Sequence, residues 1–520
     1  MGLGSLPSEI MNRYRALGAL QRIVLWLLLL LQVPLLYLAA NRLPLNFEID
    51  RAPYAILHVV ERVRIGEPMY VPLAPGQASL TYPPFYLWLC GMLWKVFGPI
   101  MAIPRIVSFL SAMVFATLMG AFVWRNTERD LLLSVAAPCV VLSTYAYMEP
   151  WMIAMIVDPL QVALAVGGFF LLAKPLSMRK TVAAAILMGL SMLTKQTSLA
   201  FICAGTLYLL VENRRMAAWF AGISLGLVAV VFYWQNASTD GEFWQQAFES
   251  AGVAPWYAQR IWNEVLFPDL MGRFGIFFVM VLVSLFLTSE GFWRTIWRPE
   301  YFMFGAGVAV AVIAQPKLGS GATQALVGYA GIAVSGAIGL HRLFKVLPAP
   351  AGGGVVAVLV AFQAVTVALP MISSYSMNLV DDNDRAKYQQ IADVFARGRS
   401  CLLYFAYLPK VFGQPDSGPF GEERSIWKNK RIDYSNKPDS VNEPLYKQVY
   451  DNVIVGAYAP REDPTLQAVL SNYKPVARIP GHPRGVQGGN LRYEYIVFRA
   501  NRLMPPDTGG GQPGPGGPVR

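Results

Sequence analysis

Charge is scarce in this chain. Of its 520 residues only 14% are Asp, Glu, Lys or Arg, while 55% are hydrophobic and the mean hydropathy is +0.40. Soluble domains carry roughly a quarter of their residues as charges, so most of this chain meets lipid. Cysteine is thin as well. Cys90, Cys139 and Cys203 lie in apolar stretches and Cys401 stands alone in the polar C-terminal part, which implies neither a disulfide framework nor a thiolate metal site. The three histidines, His58, His341 and His482, are scattered and form no metal-ligand cluster. No Walker pattern occurs, and no Gly-x-Gly-x-x-Gly follows a strand, so nucleotide-binding loops are missing. An internal repeat is also missing, which argues against an inverted-repeat transporter. The net charge of +11 is dispersed through short breaks between apolar runs rather than gathered on one face, and so excludes nucleic acid as the partner.

Long apolar runs are what the sequence has in quantity. The first, Ile23 to Ala40, follows Arg13, Arg15 and Arg22; it exceeds a signal-peptide core, and Asn41-Arg42 offers no small-x-small cleavage pattern. It reads as a retained signal anchor with its N-terminus inside. Ten further spans are expected at about 100–124, 130–148, 155–173, 181–195, 197–212, 216–235, 272–290, 301–315, 322–340 and 353–373, making about eleven transmembrane helices. Alternate breaks carry the positive charge: Arg125 and Arg129; Lys174, Arg179 and Lys180; Arg214 and Arg215; Arg294 and Arg298; Arg342 and Lys345. Those breaks are expected on the cytoplasmic side.

Phe85 to Phe97 is apolar but too short to span, and reads as a juxtamembrane or re-entrant helix. The expected organisation is a cytoplasmic N-terminus (1–20), a membrane domain (21–373) whose outer loop 41–99 holds juxtamembrane helices, a soluble extracytoplasmic α/β domain (374–504) and a disordered Gly- and Pro-rich tail (505–520). The polar regions left outside are 41–99, 148–154, 236–271 and everything after about 374. Within the last, helices are expected near Arg385 to Arg397 and Asp463 to Leu470, with strands at Cys401 to Phe405, Asn452 to Val455, Pro475 to Ile479 and Tyr493 to Arg499.

The first outer loop reads Asn46-Phe-Glu-Ile-Asp50-Arg51, then Gly66-Glu-Pro-Met-Tyr70, then Thr81-Tyr82-Pro83-Pro84 before the short apolar helix. An acidic residue just after the first span, a Gly-x-x-x-Tyr turn and Tyr-Pro-Pro in that order resemble the GT-C glycosyltransferases. Within that superfamily the chain looks most like the branch of lipid A aminoarabinose transferases and protein O-mannosyltransferases. The resemblance continues at Phe97-Gly98 with Arg105 to Ser108, at Asp158-Pro-Leu and at Leu193-Thr-Lys195-Gln; beyond residue 200 only Lys317-Leu-Gly-Ser320 and the overall layout carry it. It implies transfer of a sugar from a polyprenyl-phosphate carrier to a glycan, glycolipid or protein hydroxyl, with inversion, and no cofactor beyond a possible divalent metal.

Elementary chemistry asks for the same parts. A sugar on a lipid phosphate already carries its leaving group, so transfer needs one carboxylate to take the acceptor proton and cations to stabilise the departing phosphate. Resemblance places the catalytic carboxylate at Asp50, with Glu48 as second choice; as plain structure, Asp50 would cap the helix beginning near Ala52. Asp158, inside an apolar run, is either functional or the N-cap of a helix with Pro159 behind it. Lys195 and Lys317 sit at outer helix ends, against the basic-inside trend, and either grip the lipid phosphate or snorkel. Arg51 and Arg260 are weaker candidates. Tyr82 either touches the donor or, with its two prolines, fixes the start of the next helix. Trp234, Trp244, Trp256 and Trp262 form an interfacial belt or a sugar platform. Resemblance implies a C-terminal domain that caps the outer cavity and binds acceptor; as plain structure it would be a stabilising lid. The localisation expected is a bacterial inner membrane, multi-pass. The rival readings are a lipid flippase or transporter and a polymerase or ligase using diphosphate lipids.

Overall fold

The computed structural model describes residues 6–47, 52–72, 81–145, 151–250, 255–287, 291–317, 322–345, 349–402, 445, 447–456, 464–481 and 494–503. Glu48, Asp50 and Arg51 lie outside the described residues, as does the tail from 504.

Helices occupy the segments read as spans. α1 (Leu6–Ala16) precedes α2 (Ala19–Leu30) and α3 (Val33–Arg42). The run expected as one helix breaks at Leu31–Gln32, because Pro34 has no N–H for the carbonyl of Leu30. Gln32 fills the gap, its Nε2 donating to Leu28 O at 3.0 Å and Cys139 O at 3.2 Å. Then come α4 (Ala52–Ile65), α5 (Phe85–Phe97), α6 (Ala102–Asn126), α7 (Leu131–Leu142), α8 (Asp158–Leu172), α9 (Met178–Thr194), α10 (Leu199–Glu212) and α11 (Arg214–Ser238). The outer loop expected to run to residue 271 is helical from Ala258, with a π-helical stretch Ile261–Met271 leading into α12 (Gly272–Leu287). The widened turn accommodates Pro268, which cannot donate to an α-helical ladder. α13 (Pro299–Ala314), α14 (Leu326–Phe344) and α15 (Ala349–Asn378) complete the helical part. Among the described residues six helical segments, Ala19–Arg42 included, are long and apolar enough to cross a membrane; α5, α7, α8, α10 and α13 are apolar but shorter.

α14 is the axis of the bundle: every residue from Leu326 to Leu340 is buried. Its neighbours α12 and α13 approach so closely that a Cβ on Gly336 would lie 2.7 Å from Phe277 O, and one on Gly307 2.5 Å from Val327 O. Small residues are the usual device for such contact in membranes, where lipid is as apolar as the side chains.

At one end of the bundle the basic turns are tied together. Arg129 pairs with Glu9 of α1 and Lys345 with Glu128. Lys174 pairs with Glu212 at 3.0 Å, and Arg342 with the buried Glu300 at 2.6 Å. Arg125 donates to Ala173 O at 2.9 Å.

The described C-terminal residues form α16 (Asp382–Ala396), β1 (Ser400–Leu402), β2 (Asn452–Gly456), α17 (Pro464–Asn472), β3 (Tyr473–Ile479) and β4 (Tyr495–Ala500). The sheet order is β1-β2-β4-β3, parallel between β1 and β2 and otherwise antiparallel. Alternation sorts its side chains. Ile454, Tyr495 and Val497 face a core shared with α16, with Tyr54 of α4 and Tyr86 of α5, and with Leu45, Phe47, Val157 and Phe243. Val453, Val455, Phe498 and Ala500 face Ala468 and Val469 of α17. Tyr388 of α16 stacks on Phe47 with centroids 4.4 Å apart. Lys387 beside it lies over the Tyr495 ring at 5.1 Å and donates to Pro480 O at 2.9 Å. Burial pushes its ammonium down to about 8, against the pull of Asp384 and Glu494.

Candidate functional site

The end of the bundle opposite the basic turns holds a buried ion pair. Asp158 is the first residue of α8 rather than its N-cap: Val157 takes that place, and no side chain caps the helix. The carboxylate turns instead to Lys195, which ends α9 in an extended conformation, and accepts from Nζ at 2.5 Å. Both side chains are almost fully buried, at 4% and 3% exposure. This overturns the capping alternative for Asp158 and the snorkelling alternative for Lys195, whose ammonium is paired below the surface.

Both helix ends are fixed by neutral hydrogen bonds. Gln161 Nε2 donates to Thr197 Oγ1 at 2.9 Å and Ser198 Oγ at 2.8 Å, and Ser191 Oγ donates to Gln161 O at 2.9 Å. On the 3-10 turn Gln196–Ser198, Gln196 Nε2 reaches Thr81 O at 3.0 Å and Ala247 O at 2.9 Å, drawing the first outer loop and the segment after α11 onto the pair. Tyr82 follows directly: its ring centroid lies 5.9 Å from Lys195 Nζ, within cation–π range. Its carbonyl accepts from the Tyr70 hydroxyl at 2.7 Å, and burial holds that phenol well above its ordinary pKa, so it remains a donor. Both readings of Tyr82 therefore have a physical basis: the Gly66 to Tyr70 turn holds its backbone, and its ring faces the cation.

Arg105, near the start of α6, is the residue that sequence reasoning quoted only as part of a motif. It is 1% exposed, and its guanidinium gathers the chain that leaves α3. Nη1 donates to Arg42 O at 3.1 Å and to Leu45 O, and Nη2 to Phe47 O at 2.5 Å. Three carbonyls in the stretch from Arg42 to Phe47, which leads to Glu48, are thus pinned by one side chain, and the Phe47 ring stacks on Tyr388. The signal was available: an arginine in an apolar helix has to find acceptors. Lysine cannot reproduce the planar fork. Arg105→Lys is expected to leave one or two of these carbonyls unsatisfied, at about 1–3 kcal/mol each, and to speed tryptic cleavage at Arg51 several-fold. Unchanged cleavage would show that the loop is held by other contacts.

The remaining candidates sit elsewhere on this end. Lys317 follows α13 and bridges to Trp256, and Arg260 Nη1 donates to its carbonyl at 3.0 Å. The Arg260 guanidinium also grips Glu264, with Nε 2.7 Å from each carboxylate oxygen. Trp234, Trp244, Trp256 and Trp262 are all exposed, as a belt requires. Four residues beyond Gln196 begins an apolar groove between α10 and α13, of about 450 Å³, lined by Ala200, Cys203, Leu207, Trp297, Phe302 and Gly305. Among the described residues no three His, Cys, Asp or Glu side chains are grouped to hold a metal ion.

Comparison with known proteins gives the fold. No protein-family model matches the chain, and no curated protein does. Among solved structures it resembles ArnT from Cupriavidus metallidurans bound to undecaprenyl phosphate, with 14% identity, a TM-score of 0.54, and coverage of 91% of this chain and 97% of that one. It also resembles the Archaeoglobus fulgidus oligosaccharyltransferase AglB in complex with an inhibitory peptide and a dolichol-phosphate, with 10% identity, a TM-score of 0.51, and coverage of 94% and 75%. The same enzyme tethered to an acceptor peptide matches at 12% identity and the same score. The architecture is the fold of these solved structures.

Proposed function

We propose that this chain is a membrane glycosyltransferase that moves a sugar from a polyprenyl-phosphate carrier to a hydroxyl acceptor on the extracytoplasmic face. The observation that carries the reading is the buried Asp158–Lys195 pair under Tyr82, at the end of the bundle to which Arg105 and Gln196 draw the first outer loop. An ionisable pair held inside a membrane protein is a functional-site candidate by default. Solved proteins of this fold hold undecaprenyl phosphate or a dolichol-phosphate, and a phosphate is the anion such a cation would meet.

In this reading the chain crosses a bacterial inner membrane about eleven times with its N-terminus inside. The basic turns lie in the cytoplasm and the C-terminal sheet caps the outer cavity. The isoprenoid tail lies in the apolar groove between α10 and α13, whose lining residue Ala200 follows Lys195 by five positions in the chain. Lys195, Lys317 or Arg51 neutralises the phosphate as the glycosidic bond breaks, and Asp158 sets the position of the Lys195 ammonium. Asp50, with Glu48 beside it, takes the acceptor proton as the hydroxyl attacks the anomeric carbon from the opposite face, so the configuration inverts. The acceptor is a glycan, a glycolipid or a protein hydroxyl.

The test is transfer of radiolabelled sugar from a panel of polyprenyl-phosphate sugars to membrane glycolipid extracts, with and without chelator. Transfer by the purified protein is expected, and the chelator arm decides whether a divalent ion takes part. Absence of transfer with every donor, from folded protein, would move the reading to a lipid transporter.

A further inference from the structure

The helical run Ala258–Phe286 has 29 residues, more than the roughly 20 that a membrane crossing needs. Its first turns can therefore stand clear of the hydrocarbon, and their composition requires it. Gln259, Asn263 and Glu264 are exposed there, and amides and carboxylates find no hydrogen-bond partner among acyl chains. With Arg260, Trp256 and Tyr257 they line an open concavity of about 570 Å³. Both aromatic residues are 46% exposed. An interfacial belt needs only such rings; amides and an ion pair gathered beside them add hydrogen-bonding groups that a lipid tail cannot use.

The concavity is held in shape by the chain that leaves α13. Trp256 Nε1 donates to Ile313 O at 3.0 Å, the Trp256 backbone bridges to Lys317, and Tyr257 N donates to Pro316 O at 3.2 Å. Arg260 Nη1 donates to Lys317 O at 3.0 Å. The aromatic rim is thus fixed before any ligand arrives, which lowers the ordering cost of binding. The charges of the lining cancel. Arg260 Nε lies 2.7 Å from each Glu264 oxygen, and Nη2 lies 2.6 Å from Oε2. An anion would have to displace Glu264 to reach the guanidinium. What the lining does offer is ring faces, amides and carboxylate oxygens around a neutral space. A sugar presents the complement: an apolar C–H face for an aromatic ring, and hydroxyls that both donate and accept.

We propose that the concavity between Trp256 and Glu264 is a subsite for a neutral sugar ring of the acceptor, which makes the acceptor a glycan or a glycolipid. The donor sugar stays bonded to its phosphate until transfer, and the lining offers a phosphate no unengaged cation, so the sugar held here is the acceptor's. That assignment rests on the transferase reading; the fit of the concavity to a neutral sugar does not.

The experiment is saturation-transfer NMR on the full-length protein in lipid nanodiscs, with empty nanodiscs as the blank. The probes are maltotriose, cellotriose and mannotriose, with trigalacturonate as the anionic control. At least one neutral trisaccharide is expected to bind, and trigalacturonate is not. Tyr257→Ala and Asn263→Ala, both at exposed positions, are expected to weaken that binding about tenfold, the size of one lost ring or amide contact. In the transfer assay the same variants are expected to raise KM for the acceptor by a similar factor while kcat and KM for the donor stay unchanged, a split that a merely structural role would not produce. No binding of any neutral trisaccharide, binding kept by both variants, or trigalacturonate bound as tightly as the neutral probes would each overturn the subsite and leave the transferase reading standing. Variants that lose trisaccharide binding but keep KM for the acceptor would overturn its assignment to the acceptor. Trisaccharide binding lost in both variants of a protein that transfers sugar from no donor would remove the transferase reading and leave a sugar-binding site.

Discussion

Asp50→Asn is expected to abolish transfer, lowering turnover by about 10²–10⁴-fold, the range general-base removal usually costs. Asparagine keeps the size and hydrogen-bonding reach of the side chain but cannot accept the acceptor proton, so the hydroxyl has no route to an alkoxide-like attack. The carrier phosphate and the sugar are bound by other groups in the proposed site. Affinity for donor is therefore expected to stay within a few-fold of wild type, so the loss falls on kcat rather than KM. Glu48→Gln, two residues earlier, is expected to retain most activity. The reverse result, an active Asp50→Asn enzyme with a dead Glu48→Gln one, would transfer the role to Glu48. Activity in both would place the base outside this loop. The position is physically suited to the role because the chain up to Phe47 is anchored by two side chains. The Arg105 fork holds three carbonyls and Tyr388 stacks on Phe47, so a carboxylate three residues on inherits a fixed origin.

How much of this could be read from the sequence depends on the distance over which each feature is determined. Helix positions were legible because apolar length is a local property, and the strands at Asn452–Gly456 and Tyr495–Ala500 were legible from β-branched and aromatic runs. The break at Gln32 was missed because the apolar run hides Pro34, although a proline two residues inside a helix was the clue. Asp158 and Lys195 were each noticed alone, for being ionisable in apolar surroundings. Their pairing was not legible, since it joins residues 37 apart across two helices. Arg105 was noticed for its motif and not for its work, because the three carbonyls it holds lie 58 to 63 residues away and carbonyls leave no mark in a sequence.

The Asp158–Lys195 pair allows structure and function to be separated by one set of variants. Removing either partner leaves a charge in a site less than 5% exposed, and breaking a buried pair costs about 3–5 kcal/mol. Lys195→Met and Asp158→Asn are each expected to lower thermal stability and transfer together, an ambiguous result taken singly. The double variant Asp158→Asn/Lys195→Met removes both charges, and replacing a buried pair by neutral groups of similar volume is often close to neutral for stability. It is expected to recover most of the lost thermal stability. Transfer is expected to stay down by about 100-fold or more, because removing one preorganised electrostatic contact to a developing charge costs about 10²–10³ in turnover. Addition of bare undecaprenyl phosphate sharpens the distinction: wild type should be stabilised by it, and the double variant should respond more weakly, since the phosphate has lost its buried cation. A double variant that regains both stability and transfer would make the pair a packing element and shift the phosphate contact to Lys317 or Arg51. One that regains stability alone would leave the ammonium of Lys195 as the group the leaving phosphate needs, with Asp158 holding it at the base of the site until the carrier arrives.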